Sequence, residues 1–384
     1  MSSEEYAEIR LRIAQKKISA ITVDTTTFDD HGMRLDRGIF SQLKQFNRHP
    51  ANLVISEVVL REIGRHLTKS ITTKKERFGR DMSDAADFVG FDQKYLEEIN
   101  TKFAELPSPQ EICKLQIDSF LADSGTLVLN SDDYINVSDL LSSYFGNEPP
   151  FQKENNKKSE FPDAIALKTL ENWALDEDTE IVVVSRDGDW ISYCEISDRL
   201  HHVKELAAAL ALFQTPDEAV QHMIKGLRRD LNDGNSKIFL RIEEEIKDFE
   251  WSEAVISDVY SQFEYEEDEF YVELNKCTFE DVPNAIKVTD IDQEGVSVIF
   301  SLQVQGTFIG SYSFQKWDGI DKEYISMGNG LVTDNFDESV SIVLRIPNKS
   351  NDVDDIELEI EPNTLHFEFG EIEPDWMSGR DNVD

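Results

Sequence analysis

The chain has 384 residues and a formal net charge of −39 at pH 7, from 38 basic and 77 acidic side chains. This length allows two domains, each with a well-buried core. No apolar run reaches the length of a membrane span, and the start of the chain lacks the basic and apolar parts of a signal peptide. Cys113, Cys194 and Cys277 lie far apart, which predicts unpaired thiols in a reducing cytoplasm.

The first predicted elements alternate between helix and strand. A charged helical segment over residues 4–17 precedes a strand that ends at Asp24. A helix over 36–46 follows, and then a strand over 52–56 that runs into the helix carrying Glu62. Both strands are apolar without alternation, which is typical of parallel strands that are buried on both faces.

The next stretch is predicted to be mainly helical, with one long loop. Residues 142–160 are rich in turn formers and predict that loop, a kind of segment that is usually functional inside a compact domain. The other predicted elements are helices over 81–122 interrupted at Pro107-Ser108-Pro109, a helix beginning near Pro162, a last strand over 180–185 and a closing helix over 204–213.

The pattern changes after Thr215-Pro216-Asp217. Residues 217–250 predict helix, and from about residue 268 apolar and polar side chains alternate strictly. Such alternation, with turn signals such as Gly328-Asn329-Gly330, predicts antiparallel strands in a small sandwich or barrel. We therefore predict an α/β domain over residues 1–213, a helical linker over 214–250 and an acidic, all-β, sandwich-like domain over 251–384.

Four acidic residues stand at the ends of apolar runs or at a helix start. They are Asp24, Glu62, Asp163 and Asp187, with Asp189 as a fifth candidate. The carboxyl ends of parallel strands meet in one crevice, where several carboxylates repel each other unless a cation lies among them or one keeps its proton. The pattern predicts a hard divalent cation, Mg²⁺ or Mn²⁺. Any one of these acids alone would fit a helix N-cap equally well.

The net charge is distributed unevenly along the chain. Residues 1–100 contain 16 basic and 16 acidic side chains, whereas residues 251–384 contain 7 basic and 31 acidic ones, a net charge of −24. Within the neutral part, residues 61–80 have seven basic and two acidic side chains. This basic strip has the charge that a phosphate backbone requires. A solvated helix face would show the same pattern.

Four short segments, in this order, resemble the PIN-domain nucleases, and most closely a bacterial PIN-like subgroup of largely undefined function. They are Val-Asp-Thr-Thr-Thr-Phe (23–28), Ile-Ser-Glu-Val-Val-Leu-Arg-Glu-Ile (55–63), Glu-Phe-Pro-Asp-Ala-Ile-Ala-Leu (160–167) and Val-Val-Val-Ser-Arg-Asp-Gly-Asp-Trp (182–190). Pro150-Phe151 and Lys157-Lys158 match the same subgroup. The resemblance covers about residues 18–213. It implies a parallel sheet flanked by helices.

The resemblance also implies the site residues. Asp24, Glu62, Asp163 and Asp187 would be the catalytic, metal-binding acids, with Asp189 as a fifth metal ligand. Glu57 is a rival to Glu62, but the family places its acid after the Val-Val-Leu run. Residues predicted to position water or contact phosphate are Thr25, Thr26, Arg65, Lys74, Lys75, Arg77, Lys157, Lys158 and Ser185.

The function implied by the resemblance is metal-dependent endoribonuclease activity. A metal-activated water would attack the phosphodiester in line. RNA is favoured over DNA by analogy with the family. A non-catalytic PIN-like scaffold remains an alternative. A phosphatase is disfavoured, because Thr26 stands where a second Asp would be needed. Toxin, RNA-processing and anti-phage defence roles all fit.

The acidic C-terminal segment has three open interpretations. It could confer solubility, bind a basic protein partner, or restrain the nuclease by covering the basic strip. The sequence leaves open whether the chain forms a homodimer or joins a complex.

Overall fold

The computed structural model describes residues 3–89, 98–99, 101–103, 105–151, 160–249, 251, 255–319, 323–348, 352–362 and 365–377. The chain folds into two compact units, unit 1 (Met1–Phe213) and unit 2 (Gln214–Asp384). Within the described ranges, no helix is both long and apolar enough to cross a membrane.

Unit 1 is built on a five-stranded parallel sheet in the order β3-β2-β1-β4-β5. The strands are β1 Ile18–Val23, β2 Asn52–Ser56, β3 Leu127–Leu129, β4 Glu180–Val184 and β5 Leu200–Val203. The central strands β1, β2 and β4 are almost entirely buried, because their side chains are apolar on both faces. The predicted parallel sheet is confirmed.

Helices flank this sheet. They are α1 Ser3–Ala14, α2 Thr25–Asp30, α3 Gly38–Ser41, α4 Glu57–Val89, α5 Pro109–Ser124, α6 Ser131–Tyr134, α7 Val137–Gly146, α8 Phe161–Asp176, α9 Gly188–Cys194 and α10 Leu206–Leu212, with a 3₁₀ helix over Gln42–Asn47. After β1 the chain adds β2 and β3 on one side, and it then returns to add β4 and β5 on the other. This reversal leaves a crevice at the carboxyl ends of β1 and β4.

Two predictions for unit 1 were wrong. The predicted loop over 142–160 begins within helix α7, because Leu140 packs with Phe151 and Ala164 and this contact outweighs the local turn formers. Residues 152–159, with Lys157 and Lys158, lie outside the described residues. The predicted last strand is followed by β5, a short strand whose His201-His202 pair interrupts the apolar pattern.

Unit 2 contains an antiparallel sheet in the order β11-β10-β9-β7, in which β8 also pairs with β9. Its strands and helices are α11 Glu218–Asn232, α12 Lys237–Asp248, β6 Val255–Tyr260, β7 Glu264–Phe279, β8 Lys287–Ile291, β9 Gly295–Asp318, β10 Glu323–Pro347, β11 Glu357–Pro362 and β12 Leu365–Glu371, with a 3₁₀ helix over Val353–Asp355. Strands β6 and β12 pair with each other in parallel. The predicted antiparallel sheet is confirmed.

Helices α11 and α12 belong to unit 2, so residues 214–250, predicted as a linker, pack in the same core as the antiparallel sheet. Ile242 and Ile246 of α12 are fully buried in the same core as Val298 and Leu302 of β9. Both helices are amphipathic, and the sheet provides the apolar surface that covers their apolar faces.

The predicted turn at Gly328-Asn329-Gly330 lies inside β10, next to an irregularity in its pairing with β9. Gly328 has a φ of +93°, a backbone conformation that residues with a Cβ rarely adopt. A Cβ on Gly330 would lie 2.5 Å from the carbonyl oxygen of Glu373. Gly328 permits the irregularity in the strand, and Gly330 permits the close approach of another backbone segment. Both are common roles of glycine in a strand, so the glycines here do not mark a turn.

Candidate functional site

Asp24 is the most enclosed acid at the carboxyl edge of the parallel sheet. It follows β1 directly, is 3% exposed and caps the N-terminus of α2. Its Oδ1 accepts from the backbone N–H of Thr25 at 2.7 Å, and its Oδ2 accepts from the hydroxyls of Thr26 at 2.5 Å and Ser185 at 2.9 Å. Burial raises the pKa of Asp24, and these three donors oppose the rise.

Ser185 links Asp24 to Asp187. The Ser185 hydroxyl donates to Asp24 and accepts from the backbone N–H of Asp187 at 3.0 Å. Asp187 in turn caps α9, and its Oδ1 accepts from the backbone N–H of Asp189 at 2.7 Å. The charge of Asp187 is one of the causes that raise the pKa of Asp24. The end of β4 therefore holds the two acids together.

Glu62 reaches the same edge from the second turn of α4. Its Oε2 accepts from the Thr25 hydroxyl at 3.1 Å, and its Oε1 accepts from Arg65 at 3.0 Å. The rival acid, Glu57, forms an ion pair with Arg61 and accepts from the backbone N–H of Ser131 at the start of α6. Glu57 thus has local structural partners, whereas Glu62 contacts the residue next to Asp24.

Asp163 joins the cluster from the first turn of α8. The buried Trp190 indole donates to its Oδ1 at 2.8 Å. Burial raises the pKa of Asp163 to about 7; the indole hydrogen bond opposes this rise, and the charges of Asp24, Asp187 and Glu62 add to it. All four acids therefore interact electrostatically, although they come from β1, α4, α8 and the end of β4.

The donor set fits a hard divalent cation. Ionised carboxylates that repel each other, one of them with its pKa raised to about 7, gain most from a positive charge among them. In the part of the chain that the structure describes, no group of three or more His, Cys, Asp or Glu side chains is close enough together to hold a metal ion. A cation would thus have to draw the carboxylates inward.

The predicted substrate-binding hydroxyls have their own partners in the structure. Thr25 donates to Glu62, and Thr26 and Ser185 donate to Asp24. Asp189 contributes a backbone N–H to Asp187. In these positions the hydroxyls orient the acids.

Four of the predicted basic residues, Arg65, Lys74, Lys75 and Arg77, lie along α4. Arg65 is next to Glu62. The helical rise of about 1.5 Å per residue places Lys74 roughly 18 Å and Arg77 roughly 22 Å from Glu62 along the helix axis. Both are exposed. The Lys75 Nζ donates to the Pro107 carbonyl at 3.4 Å and lies 5.4 Å from the centre of the Phe103 ring.

Two residues with a structural connection to this site had no predicted role. Trp190 orients Asp163, and a signal existed, because a buried indole N–H requires an acceptor and Trp190 ends the Asp-Gly-Asp-Trp segment. A ring nitrogen of His202, Nε2, lies 2.7 Å from the carbonyl oxygen of Ser185. Nothing local in the sequence predicts this second contact, since it joins β5 to the end of β4.

Comparison with known proteins supports the family. A family model described as PIN domain matches residues 21–190, which include all four acids and Trp190. No curated protein and no solved structure matches the chain. PIN domains are generally nucleases that use divalent metal ions. Residues 21–190 therefore form a PIN domain.

Proposed function

We propose that this protein is a metal-dependent endoribonuclease whose catalytic acids are Asp24, Glu62, Asp163 and Asp187. The observation that carries the proposal is geometric: hydroxyls and an indole from neighbouring elements hold these acids at one edge of the sheet. Burial, together with the charges of the other three acids, raises the pKa of Asp163 to about 7. Acids from four separate elements that repel each other lower the stability of the folded state. Such clusters are typical of functional sites. A toxin, an RNA-processing enzyme and an anti-phage effector would all use this chemistry.

In this proposal the four carboxylates hold Mg²⁺ or Mn²⁺. When bound, the cation supplies positive charge to the scissile phosphate and favours deprotonation of the attacking water. The protein keeps the acids oriented: Thr26 and Ser185 hold Asp24, Thr25 holds Glu62, and Trp190 holds Asp163. Because the indole occupies Oδ1 of Asp163, Oδ2 is the atom that carries the proton when this acid is neutral.

The direct test is incubation of the purified protein with single-stranded RNA, double-stranded RNA and DNA. We expect RNA fragments with Mg²⁺ or Mn²⁺ and intact RNA with EDTA. If DNA is cleaved and RNA is not, the substrate is DNA. If the protein binds the divalent cation but cleaves neither nucleic acid, the proposed nuclease activity is wrong. If it does not bind the cation at all, a PIN-like scaffold is favoured.

Trp190→Phe should weaken binding of the divalent cation. The phenyl ring fills most of the indole's space but donates no hydrogen bond, so the pKa of Asp163 rises further. A hydrogen bond to a charged group contributes about 1.5–3 kcal/mol, which corresponds to roughly 10- to 100-fold in affinity. Calorimetric titration with Mn²⁺ measures this, and the acidic limb of the cleavage pH profile should shift to higher pH.

The matched control for Trp190→Phe is Trp173→Phe, a change of the same size at a buried position of α8. This control should lower stability without moving the pH profile. If both variants lose the same affinity for Mn²⁺ and keep the wild-type pH profile, Trp190 acts through packing alone.

Lys74→Gln combined with Arg77→Gln should weaken RNA binding and reduce its dependence on salt. Each lost phosphate contact lowers the slope of log affinity against log salt by about 0.7 for a single strand. Fluorescence anisotropy with labelled RNA in EDTA measures the slope without cleavage. Lys44→Gln is the control, because it removes an exposed positive charge that lies outside the strip. An unchanged slope in the double variant would make the strip an ordinary solvated helix face.

We also propose that the net charge of −24 over residues 251–384 slows RNA association at low salt. A chain that ends at Phe213, the last residue of unit 1, retains all four acids. Its cleavage should be faster than that of the full chain at low salt, and the difference should vanish as salt is added. Equal rates at every salt concentration would leave docking of a basic protein partner or solubility as the role of this segment.

A further inference from the structure

A chain of hydrogen bonds runs from the end of helix α2 to the acid cluster. The Nδ1 of His66 lies 3.0 and 2.9 Å from the two carboxylate oxygens of Asp29. The Nε2 of the same ring lies 3.3 Å from Nη2 of Arg65, and this Nη2 donates to Oε1 of Glu62 at 3.0 Å. Asp29 is therefore connected to one of the proposed metal-binding acids through two side chains of α4.

The chemistry of these groups fixes the direction of each hydrogen bond. A guanidinium has N–H donors and no acceptor, so Arg65 donates to the lone pair on Nε2 of His66. The ring proton is then on Nδ1, which donates to the carboxylate of Asp29. A carboxylate on one ring nitrogen sets the tautomer and the orientation of a histidine. Asp29 thus keeps the Nε2 of His66 unprotonated and directed at Arg65.

The same contacts fix the position of the Arg65 guanidinium. Both hydrogens of Nη2 are used, one by His66 and one by Glu62. Within the described part of the chain, Nη1 and Nε of Arg65 have no protein partner, and the side chain is 72% exposed. The guanidinium is therefore held beside the acid cluster by one nitrogen, while its other N–H groups can bind an anion.

A second arginine near the site differs in this respect. Arg186 precedes Asp187, but its Nη1 lies 3.1 Å from Asp30 and its Nη2 lies 2.7 Å from Glu205. Two carboxylates compensate its charge and occupy both terminal nitrogens, so Arg186 links α2 to the start of α10. Arg65 has a single acidic partner, which leaves it better suited to bind a phosphate.

We propose that Arg65 binds a phosphate of the substrate backbone beside the metal-binding acids, and that Asp29 and His66 are positioning residues that hold its guanidinium there. This inference rests on the proposed function and extends it to residues of α2 and α4 that touch no metal. An arginine loses much rotamer freedom when it binds a phosphate, and a guanidinium that is already held loses less.

The test is a double-mutant cycle on the full chain. Fluorescence anisotropy with labelled single-stranded RNA in EDTA gives the affinity, and single-turnover cleavage with Mn²⁺ gives the rate. Arg65→Gln should lower the affinity about tenfold, the range of one charged hydrogen bond. His66→Phe keeps a planar ring but removes both nitrogens, and should lower it about fivefold. The double variant should stay within about twofold of Arg65→Gln, because His66 acts only through Arg65.

Two further variants separate positioning from structure and from overall charge. His66→Gln should recover most of the wild-type affinity, since an amide oxygen can still accept from Arg65. Arg61→Gln is the matched control, because Arg61 lies on the same helix, is 80% exposed and pairs with Glu57. It should change the affinity by less than about threefold.

Three results would overturn the inference. Losses that add in the double variant would make His66 only a structural link between α2 and α4. Equal losses in Arg61→Gln and Arg65→Gln would mean that overall charge alone attracts the RNA. A wild-type protein that binds no RNA would have no phosphate contact at Arg65. If the wild type binds RNA without cleaving it, the proposed nuclease activity is wrong, and the affinity cycle still decides whether His66 positions Arg65.

Discussion

Asp24→Asn should reduce RNA cleavage by a factor on the order of 10³ or more while the protein stays folded. Asparagine keeps an oxygen for the Thr25 N–H, and the hydroxyls of Thr26 and Ser185 can rotate to accept from the new amide. The substitution therefore removes a buried charge and little else. Single-turnover cleavage of a labelled RNA with saturating Mn²⁺ measures the loss, and circular dichroism checks the fold.

The matched control for Asp24→Asn is Glu57→Gln. Glu57 is the rival acid at the start of α4, with Arg61 and the Ser131 N–H as its partners. Because it acts in local structure, its loss should change the cleavage rate by no more than about threefold, the range of an ordinary surface substitution. If Glu57→Gln abolishes cleavage and Glu62→Gln does not, the acid on α4 has been assigned wrongly. Cleavage that survives Asp24→Asn would falsify the proposed mechanism.

Asp163→Asn should stabilise the metal-free protein above neutral pH. In the folded protein the pKa of Asp163 is raised from 3.8 to about 7, so between these values the folded state holds a proton that the unfolded chain releases. Unfolding is then favoured increasingly as pH rises through this window, and the folded state loses stability. Asparagine keeps an acceptor for the Trp190 indole and has no proton to lose. We expect a gain on the order of 2 kcal/mol at pH 8 after allowance for solvent screening.

Urea unfolding of both proteins in EDTA, over a series of pH values, measures this difference. The two stabilities should converge below about pH 4, where Asp163 is protonated in the folded and the unfolded state alike. Mn²⁺ should reverse the order at pH 8, because the cation favours the ionised carboxylates of the wild type. If the free energy of unfolding of Asp163→Asn runs parallel to that of the wild type at every pH, Asp163 titrates normally and the four acids do not repel each other.

The pattern of apolar runs predicted the strands that matter most to the site. Strands β1, β2 and β4 are central and buried, so their sequences are apolar throughout, and the polar residues that follow them mark their carboxyl ends. The edge strands β3 and β5 escaped prediction because they are short and only partly buried. An edge strand needs no long apolar run, so its sequence carries little signal.

The second unit shows how an amphipathic helix can be assigned to the wrong structural context. The periodicity of residues 217–250 predicted helix correctly, since that periodicity is a local property. It did not show what covers the apolar face. The core that joins Ile242 of α12 to Val298 of β9 spans many residues of sequence, and such a contact appears only once the chain has folded.

For the candidate site, the sequence by itself determined the positions of Asp24, Glu62, Asp163 and Asp187 and their order among the strands and helices. Local rules were enough for Asp24, Asp163 and Asp187, because each follows an apolar run or begins a helix, whereas the resemblance to the PIN-domain family selected Glu62 over Glu57. Only the tertiary structure decided their partners: the Ser185 hydroxyl on Asp24, the Thr25 hydroxyl on Glu62 and the Trp190 indole on Asp163. These hydrogen bonds cross from one element to another, and the repulsion that raises the pKa of Asp163 does the same. Both depend on distances that the parallel sheet sets when it brings the ends of its strands together.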